Sequence, residues 1–359
     1  IRYLSHALHE YKGRFYPQLA KSFMNYAGIK KGQTVLDPFC GSGTTLLESL
    51  LYGVNAYGID INPVAYMLAK AKIGSLRTSI NRIKKIKKHF TSINTNLDWN
   101  NIAIKDINHL DIEYLTNWFP EDNLKKVFFL INEFKKFENE GDQLLLKVVL
   151  SNILREFSHQ DPRQLRIRRR KDSPPIYLIE RFKQDLFEHL HTLEKFQKLD
   201  YFNVNSSIDN FLGDVRDISG TTPIKPNSID LVITSPPYAT ALPYVDTDRL
   251  SLFAFGYTNK QSFRELERSL IGNREITKRN REILDKELEK NFNQSVLPDT
   301  IVRLLEKIYK LNENADVGFR RKNTAALLFK YFIDMHAGFG QIATVLKKYK
   351  YAFIVVGNN

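Results

Sequence analysis

Four consecutive residues, Ser235-Pro236-Pro237-Tyr238, could hold an amino group that is attached to a flat ring. They follow the apolar run of residues 229–233, which is typical of a buried strand. The prolines lack an N–H group, so the carbonyls of Ser235 and Pro236 can accept hydrogen bonds, and Tyr238 provides a stacking face. These residue types predict a site in which the Ser235 Oγ and the Pro236 carbonyl orient an exocyclic amine for group transfer.

A second segment, residues 37–45, reads Asp-Pro-Phe-Cys-Gly-Ser-Gly-Thr-Thr and follows a short β-type run. A helical pattern starts at Leu46, so the order is strand, glycine loop, helix. Two glycines let the backbone approach a ligand, and the loop amides offer hydrogen-bond donors. Asp60 ends the next apolar run, 17 residues after Gly43, near the place of a ribose-binding carboxylate in a βαβ nucleotide site.

The residues around the loop discriminate between nucleotide-type ligands. A phosphate-binding P-loop requires a lysine after its last glycine, and Thr44 stands there instead. A dinucleotide-binding loop has a third glycine where this chain has Leu46. Asp37, at the end of the first run, suits a ligand with an ammonium group, and Asp60 suits a ribose. S-adenosylmethionine carries both groups, and we therefore expect it as the cofactor.

The glycine loop and the Ser-Pro-Pro-Tyr tetrapeptide together resemble the amino-group DNA methyltransferases, which modify cytosine N4 or adenine N6. Residues 9–18 also resemble the segment that these enzymes place before the loop, and residues 211–217 resemble their third cofactor segment. The resemblance implies direct methyl transfer to a base that is flipped out of the duplex and stacked on a tyrosine. It assigns catalysis to Ser235, Pro236, Pro237 and Tyr238, and cofactor contacts to Phe15, Pro17, Asp37, Pro38, Phe39, Gly41, Gly43, Thr44, Thr45, Asp60, Ile61 and Asp214.

The first residue of the tetrapeptide bears on the target atom. The Ser-Pro-Pro-Tyr form resembles the N4-cytosine enzymes, whereas N6-adenine enzymes more often carry Asp or Asn there, so we favour cytosine N4 and keep adenine N6 as the alternative. Methylation of cytosine C5 needs a nucleophilic cysteine, and the single cysteine, Cys40, lies in the cofactor loop.

Two further alternatives lie outside DNA methylation. A tRNA or rRNA guanine-N2 methyltransferase resembles the chain in both motifs, but such tRNA enzymes usually carry an RNA-binding domain before the loop, where this sequence has 36 residues. A non-catalytic DNA-binding protein that kept the fold is the other alternative, and the intact motifs argue against it.

Some of these assignments have an equally good structural explanation. Phe15 and Pro17 also suit the hydrophobic start of a helix over residues 18–26, and Asp214 follows a glycine as in an Asx turn. A run that resembles the tetrapeptide, Ser-Pro-Pro-Ile-Tyr at residues 173–177, follows four basic residues rather than an apolar strand, which indicates the start of a helix.

The composition favours a polyanionic partner. The 359 residues include 53 Lys and Arg against 40 Asp and Glu, a net charge of +13, which suits double-stranded DNA. The single cysteine excludes intrachain disulfides, no apolar run approaches the roughly 20 residues of a membrane span, and the histidines form no obvious ligand set. We therefore expect a soluble protein of the prokaryotic cytoplasm without a metal, with a restriction endonuclease as a candidate partner.

The distance between the two motifs indicates an insertion. Asp60 and Ser235 are 175 residues apart, although a strand-helix unit needs only about 30. We predict an α/β fold, a Rossmann-like S-adenosylmethionine-dependent methyltransferase sheet, with a catalytic domain over residues 1–74 and 206–359 and a helical insertion over residues 75–205. Apolar residues recur at helical spacing over residues 80–90, 124–137, 143–157 and 176–199.

The last part of the sequence continues the predicted fold. The pattern indicates a surface helical pair over residues 264–291, a long helix over residues 325–346 and a strand over residues 352–356. Because the sequence starts at Ile1 and ends just after this strand, we expect it to be part of a longer protein, truncated at the C-terminus.

Basic residues are concentrated at two places in the predicted insertion. The first group lies on the helix over residues 80–90, and we interpret it as a solvated helix face. The second places six cations within nine residues of a loop-like stretch, and we expect it to bind DNA phosphates. Asp246 and Arg249, which follow the tetrapeptide, are further candidates for contact with the target strand. The predicted DNA-binding residues of the second group are Arg163, Arg166, Arg168, Arg169, Arg170 and Lys171.

Overall fold

The computed structural model describes residues 3–11, 13, 15–94, 99, 111–164, 167–198, 206–240, 244–274, 276–292, 295–313 and 318–357. Within these residues, five parallel strands form one sheet in the order β3-β2-β1-β4-β5. The strand order reverses between β1 and β4, and this is where an open α/β sheet binds its ligand. The observed strand order confirms the predicted Rossmann-like α/β sheet. The strands are β1 Thr34–Asp37, β2 Asn55–Asp60, β3 Ile208–Leu212, β4 Ile229–Thr234 and β5 Leu346–Ile354.

The inner strands are buried because helices cover both faces of the sheet. Every residue of β4 is buried, as expected for the continuous apolar run of a parallel strand. The carboxylate of Asp230 fixes the start of β4. It accepts a hydrogen bond from the Thr34 amide at 3.1 Å and forms an ion pair with Lys347 at 2.8 Å. These contacts join β4 to its neighbours β1 and β5 at the edge opposite to the tetrapeptide.

One face of the sheet is covered by helices from both the catalytic motifs and the predicted insertion. Buried residues of α2 and α3 belong to the same continuous hydrophobic core as the helices between residues 80 and 197. The insertion therefore packs directly against α3, and α3 is buried along most of its length. The helices of this face are α1 Pro17–Ala27, α2 Thr44–Tyr52, α3 Pro63–Leu76, α4 Ile80–Ser92, α5 Ile112–Trp118, α6 Glu121–Phe134, α7 Glu140–Ile153 and α8 Leu178–Gln197.

Polar side chains start several of these helices. Ser79 accepts a hydrogen bond from the Arg82 amide at the start of α4, and Asn139 accepts one from the Asp142 amide at the start of α7. The Ser-Pro-Pro-Ile-Tyr run at residues 173–177 leads into α8, as the sequence indicated.

The other face of the sheet is covered mainly by α15, whose Ile342 and Val345 pack on Leu36 and Val232. The predicted surface helical pair corresponds to α11 and α12. The helix predicted over residues 325–346 is α15, and β5 follows it directly at Leu346. Of the other helices, α9 Ile218–Thr221 shares this core with α15 Thr324–Val345. A third core joins α12 Lys278–Asn291 and α13 Asp299–Glu313 to α15, and α14 Phe319–Lys322 directly precedes α15 in the sequence. In contrast, α10 Tyr244–Ala254 and α11 Lys260–Ser269 belong to the core of the first face, with α3. In the described part of the chain, no helix has the length and apolar character that a bilayer span requires.

Candidate active site

A cavity lies at the carboxyl ends of β1, β2, β3 and β4, beside the point where the strand order reverses. The sheet thus gathers four segments that are far apart in the sequence: the glycine loop, the end of β2, the turn after β3 and the tetrapeptide. The predicted site residues that line this cavity are Pro38, Phe39, Gly41, Asp60, Ile61, Asp214, Ser235, Pro236, Pro237 and Tyr238.

The glycine loop has a shape that requires glycine. Gly43 has a φ of +77°, and a Cβ on it would lie 2.7 Å from the Cβ of Ala69 in α3, so no side chain fits between loop and helix. Gly41 also has a positive φ, and its amide donates to the Asp60 Oδ2 at 2.8 Å. The loop is therefore held between α3 and the end of β2.

Asp60 presents a buried carboxyl to the cavity. Its Oδ1 accepts from the Asn62 amide at 2.9 Å, and its Oδ2 accepts from the Gly41 amide. Burial raises the pKa of Asp60 to about 6, although these backbone donors oppose the shift. A carboxyl group oriented in this way retains acceptor positions for a ribose diol.

Asp37 does not line the cavity but supports it from behind. Its carboxylate accepts from the Thr45 hydroxyl at 2.6 Å, from the Thr234 hydroxyl at 2.7 Å and from the Phe39 amide at 3.2 Å. Burial raises its pKa to about 6 against these hydrogen bonds. Because Thr234 directly precedes the tetrapeptide, Asp37 connects the glycine loop to the catalytic strand. Its contact with an ammonium group stays a prediction.

Other predicted cofactor residues lie around the cavity rather than in its wall. Phe15 packs at the margin of the main core, and Pro17 is the first residue of α1. Thr44 and Thr45 begin α2 and are buried, and Gly43 packs on α3. The segment before the loop instead lines the cavity with Tyr11 and Gly13, which the sequence did not single out.

Asp214 lines the cavity in an ion pair. Its carboxylate accepts from Arg216, and the Arg216 amide donates to its Oδ1 at 2.9 Å, so the Asx turn that the sequence allowed is present. Although burial acts in the opposite direction, the hydrogen bonds from Arg216 hold the pKa of Asp214 below its usual value. Arg216 also pairs with Asp334 of α15 at 2.9 Å. Contact between Asp214 and adenine stays a prediction.

The tetrapeptide is oriented by two hydrogen bonds. The Ser235 hydroxyl donates to the Val355 carbonyl at 3.0 Å, and the Tyr331 hydroxyl donates to the Pro237 carbonyl at 3.1 Å. Among the described residues, no donor reaches the Pro236 carbonyl. The Ser235 Oγ, whose proton is engaged, and the Pro236 carbonyl are thus the acceptors that remain for a ligand.

The predicted phosphate-binding cluster is partly engaged within the protein. Arg163 pairs with Asp161 at 3.0 Å, and Arg170 pairs with Asp172 at 2.7 Å. Arg169 donates to a backbone carbonyl and lies over the ring of Trp118. Two further cations of this loop, Arg168 and Lys171, are exposed, whereas Arg166 lies outside the described residues.

Asp246 and Arg249, predicted near the target strand, form an ion pair with each other on α10. The Arg249 guanidinium also lies 4.2 Å from the ring centre of Phe263. Both side chains are mostly buried, so their contact with DNA stays a prediction that the observed packing does not favour.

The cavity also has residues that sequence reasoning missed. Residues 269–273 follow α11 and line the cavity next to the tetrapeptide, and Asn62 and Val245 contribute to its wall. Their sequence carries no recognisable signal, since a polar helix pair gives no indication that its connection returns to the sheet.

The lining suits S-adenosylmethionine better than a phosphate-bearing nucleotide. Among the described residues that line the cavity, Arg216 is the one cation, and two carboxylates already neutralise it. A pyrophosphate would therefore face Asp60 and Asp214, with no free positive charge among these described lining residues. Asp60 suits a ribose, and the apolar side chains of Phe39 and Ile61 suit a flat adenine.

Comparison with known proteins decides the domain type. Residues 8–119 match the family described as UPF0020: RMKL-like, methyltransferase domain. The chain contains a methyltransferase domain. Its methyl donor is S-adenosylmethionine, as the two motifs predicted.

Relatives of the methyltransferase domain extend the match beyond residue 119. The chain is 23% identical to the type II methyltransferase M.MvaI of Kocuria varians, over 99% of this chain and 77% of that protein. It is 28% identical to the type II methyltransferase M.BsoBI of Geobacillus stearothermophilus, over 73% of this chain and 54% of that protein. A shorter match, 29% identity over 34% of this chain and 28% of the relative, is with the tRNA (guanine(10)-N2)-dimethyltransferase of Methanocaldococcus jannaschii.

Metal ligation has no support in the described part of the methyltransferase. No group of three or more histidine, cysteine, aspartate or glutamate side chains there could hold a metal ion. Cys40 is a buried member of the glycine loop, and burial raises the pKa of its thiol well above the usual value, so it is a poor nucleophile.

Proposed function

We propose that this methyltransferase transfers the methyl group of S-adenosylmethionine to the exocyclic N4 of cytosine in double-stranded DNA. The arrangement at the tetrapeptide carries the proposal: the Ser235 hydroxyl donates its hydrogen bond to the Val355 carbonyl, which leaves the Ser235 Oγ as an acceptor beside the Pro236 carbonyl. Two acceptors can hold the two hydrogens of an amino group. The long matches to type II methyltransferases support DNA as the substrate.

The chain's residues would act by position and hydrogen bonding. An exocyclic amine is a poor nucleophile because its lone pair is delocalised into the ring. Hydrogen bonds to Ser235 Oγ and the Pro236 carbonyl favour a tetrahedral nitrogen whose lone pair is free for in-line attack. The bound cofactor supplies an electrophilic methyl group. The N–C bond forms as the S–C bond breaks, and the surplus proton leaves the nitrogen to solvent through these acceptors.

Tyr238 would hold the target base by stacking. A base inside the duplex cannot reach the methyl donor, so the enzyme must flip it into the cavity. The Tyr238 ring lies in the cavity wall next to the acceptors, and an aromatic face suits a flat base. No covalent intermediate is needed, which agrees with the burial of Cys40.

The surroundings of the site would serve DNA binding. We propose that the predicted insertion, residues 75–205, contacts DNA through the exposed Arg168 and Lys171 and through Arg163, Arg169 and Arg170, with the catalytic unit formed by residues 1–74 and 206–359. The net charge of +13 supports a polyanionic substrate. An enzyme of this kind acts in the prokaryotic cytosol, where a restriction endonuclease of the same specificity would be its partner.

Two rival substrates use the same cavity. Adenine N6 presents the same kind of amine, and only Ser235 at the first position of the tetrapeptide favours cytosine. Guanine N2 in tRNA is supported by the local match to a tRNA dimethyltransferase, but that match covers a third of the chain.

Methyl transfer from tritium-labelled S-adenosylmethionine to duplex DNA and to tRNA tests the proposal. We expect label in duplex DNA and none in tRNA. A matched pair of variants, Ser235→Ala in the site and Ser228→Ala at an exposed turn, should separate loss of activity from loss of folding. Label confined to tRNA would contradict the proposal, and so would full activity in the Ser235→Ala protein.

A further inference from the structure

The segment of residues 269–273 lines the same cavity as the tetrapeptide. It connects α11 to the chain that leads to α12 and reads Ser-Leu-Ile-Gly-Asn. Two of its lining residues, Leu270 and Ile271, are apolar and are only partly buried by the hydrophobic cores on which they pack. A base that is flipped into the cavity needs an apolar surface besides the stacking ring of Tyr238, and this segment can provide it.

Gly272 packs directly against the backbone of the tetrapeptide. It has a φ of +80°, and a Cβ at this position would lie 2.6 Å from the Tyr238 carbonyl oxygen. A side chain therefore cannot enter without moving the segment away from Tyr238. The two segments are therefore in direct contact at Gly272 and Tyr238, and they line the cavity side by side.

Tyr331 of α15 contacts both of these segments. Its hydroxyl donates to the Pro237 carbonyl at 3.1 Å, and its ring edge is 3.8 Å from the place of a Gly272 Cβ. The hydrogen bond engages one of the carbonyls that could compete for the amine. Ser235 Oγ and the Pro236 carbonyl then define a single orientation for the target amino group.

Arg216 joins residues 269–273 to Asp214, which lines the cavity at the turn after β3. Its guanidinium donates to the Ser269 carbonyl at 2.8 Å and to Asp334 of α15 at 2.9 Å, and it pairs with Asp214. Residues 269–273 are thus fixed at one end by Arg216 and near the other by Tyr238 and Tyr331.

We propose that residues 269–273 form the second wall of the target-base pocket, and that Tyr331 is a positioning residue that fixes this wall and the tetrapeptide relative to each other. The inference rests on the proposed function, because it assigns the flipped base to this side of the cavity. The wall captures and orients the target base. The glycine loop and Asp60 bind S-adenosylmethionine instead.

Tyr331→Phe tests the positioning role, because it removes one hydroxyl and keeps the ring. We expect kcat to fall about five- to tenfold, as for loss of one hydrogen bond, while the Kd for S-adenosylmethionine stays within about twofold. The matched control is Tyr309→Phe, whose exposed hydroxyl bonds to Glu289 on the surface. A wild-type kcat in Tyr331→Phe, or an equal fall in the control, would overturn the positioning role.

Gly272→Ala tests the wall itself. The added Cβ must push residues 269–273 away from Tyr238, so we expect a KM for DNA at least about tenfold higher, by the scale of core overpacking, with cofactor affinity unchanged. A 2-aminopurine at the methylated position of the DNA should change its fluorescence less on binding this variant than on binding wild type, because fewer target bases are held outside the duplex. Unchanged KM and fluorescence would contradict the wall, and so would a loss confined to cofactor binding.

The products of the wild-type protein distinguish failure of this inference from failure of the proposed function. If wild type methylates adenine or tRNA, the function is wrong, and the same variants are then assayed on that substrate. If wild type methylates cytosine N4 and both variants match it in kcat, KM and 2-aminopurine fluorescence, the wall alone is wrong.

Discussion

Ser235 shows how one hydrogen bond can decide whether a hydroxyl group in the proposed site donates or accepts. A free serine hydroxyl can donate or accept, but the bond from Ser235 to the Val355 carbonyl uses its proton and leaves an acceptor. The residue types of the tetrapeptide were enough to predict this chemistry, because consecutive prolines cannot donate. The hydrogen-bond partners of the tetrapeptide were not predictable, because they are distant in the sequence. Val355 follows β5, 120 residues after Ser235, and Tyr331 lies in α15, 94 residues after Pro237.

Ser235→Ala removes that acceptor without changing the backbone. We expect kcat to fall about a hundredfold, the usual scale for loss of one oriented hydrogen-bonding group in an active site, while the Kd for S-adenosylmethionine is unchanged. Steady-state kinetics and calorimetry measure the two quantities. A parallel loss of cofactor affinity would place Ser235 in cofactor binding instead.

Asp248 of α10 predicts a pH-dependent stability. It is buried and accepts from Asn62 at 2.8 Å, and burial, with the nearby charge of Asp60, raises its pKa to about 7. A raised folded-state pKa stabilises the protein fully below about pH 4 and less as the pH rises through 7, because the buried group must then ionise. Asp248→Asn removes this cost.

The Tm difference between Asp248→Asn and wild type should therefore grow between pH 5 and pH 8 in favour of the variant. Thermal unfolding of both proteins at each pH measures it. The control is Asp209→Asn at an exposed position of β3. A Tm difference that is constant with pH would show that Asp248 does not ionise in this range.

At the scale of elements, the glycine loop depends on its packing against α3. Gly43 and Gly53 flank α2 and both have positive φ values, of +77° and +83°. Only Gly43 meets a neighbour, since its Cβ would lie 2.7 Å from that of Ala69, whereas Gly53 faces open space. Substitution of Gly53 therefore tests the cost of backbone strain alone, whereas substitution of Gly43 tests strain and the clash with α3 together.

Gly43→Ala should abolish binding of S-adenosylmethionine and lower the Tm. Gly53→Ala should cost only the strain of a left-handed alanine, about 1 kcal/mol, and keep cofactor affinity. Calorimetric titration and thermal unfolding compare the two. Equal cofactor affinity in both variants would show that the loop does not need its contact with α3.

Some elements were predictable and others were not, for identifiable reasons. The helix predicted over residues 124–137 is α6, Glu121–Phe134: it starts earlier because Pro120 precedes two acidic residues in its first turn. The short apolar runs of β1, β2 and β4 are visible in the local sequence, and the glycine loop and the tetrapeptide directly follow β1 and β4. These elements were therefore predictable. Residues 269–273 follow a polar helix, and their place in the cavity depends on tertiary packing alone.

At the scale of the whole molecule, the predicted insertion and the catalytic helices share one hydrophobic core. Helical spacing predicted α4, α6, α7 and α8 of the insertion but missed the short α5. It also did not predict how these helices attach, because periodicity shows which face is apolar and not what covers it. The shared core means that any DNA contact on the insertion is rigidly connected to α3 and to the glycine loop on it.

The net charge of +13 predicts salt-dependent DNA binding, in which the exposed Arg168 and Lys171 take part. The double change Arg168→Ala/Lys171→Ala should weaken DNA binding and reduce the slope of log K against log salt concentration by about 1 to 2. The control is Lys30→Ala/Lys31→Ala, which removes two exposed charges just before β1, at the end of the sheet opposite to the cavity. Fluorescence anisotropy at several salt concentrations measures the slope, and an unchanged slope in the double variant would remove this loop from the DNA interface.

The central claim, methyl transfer to cytosine N4, is tested most directly by the identity of the modified nucleoside. Duplex DNA is incubated with the protein and methyl-deuterated S-adenosylmethionine, digested to nucleosides and analysed by chromatography with mass spectrometry. We expect deuterated N4-methylcytosine, formed about a hundredfold more slowly when Ser235→Ala replaces wild type. Deuterated N6-methyladenine or 5-methylcytosine in place of N4-methylcytosine would contradict it.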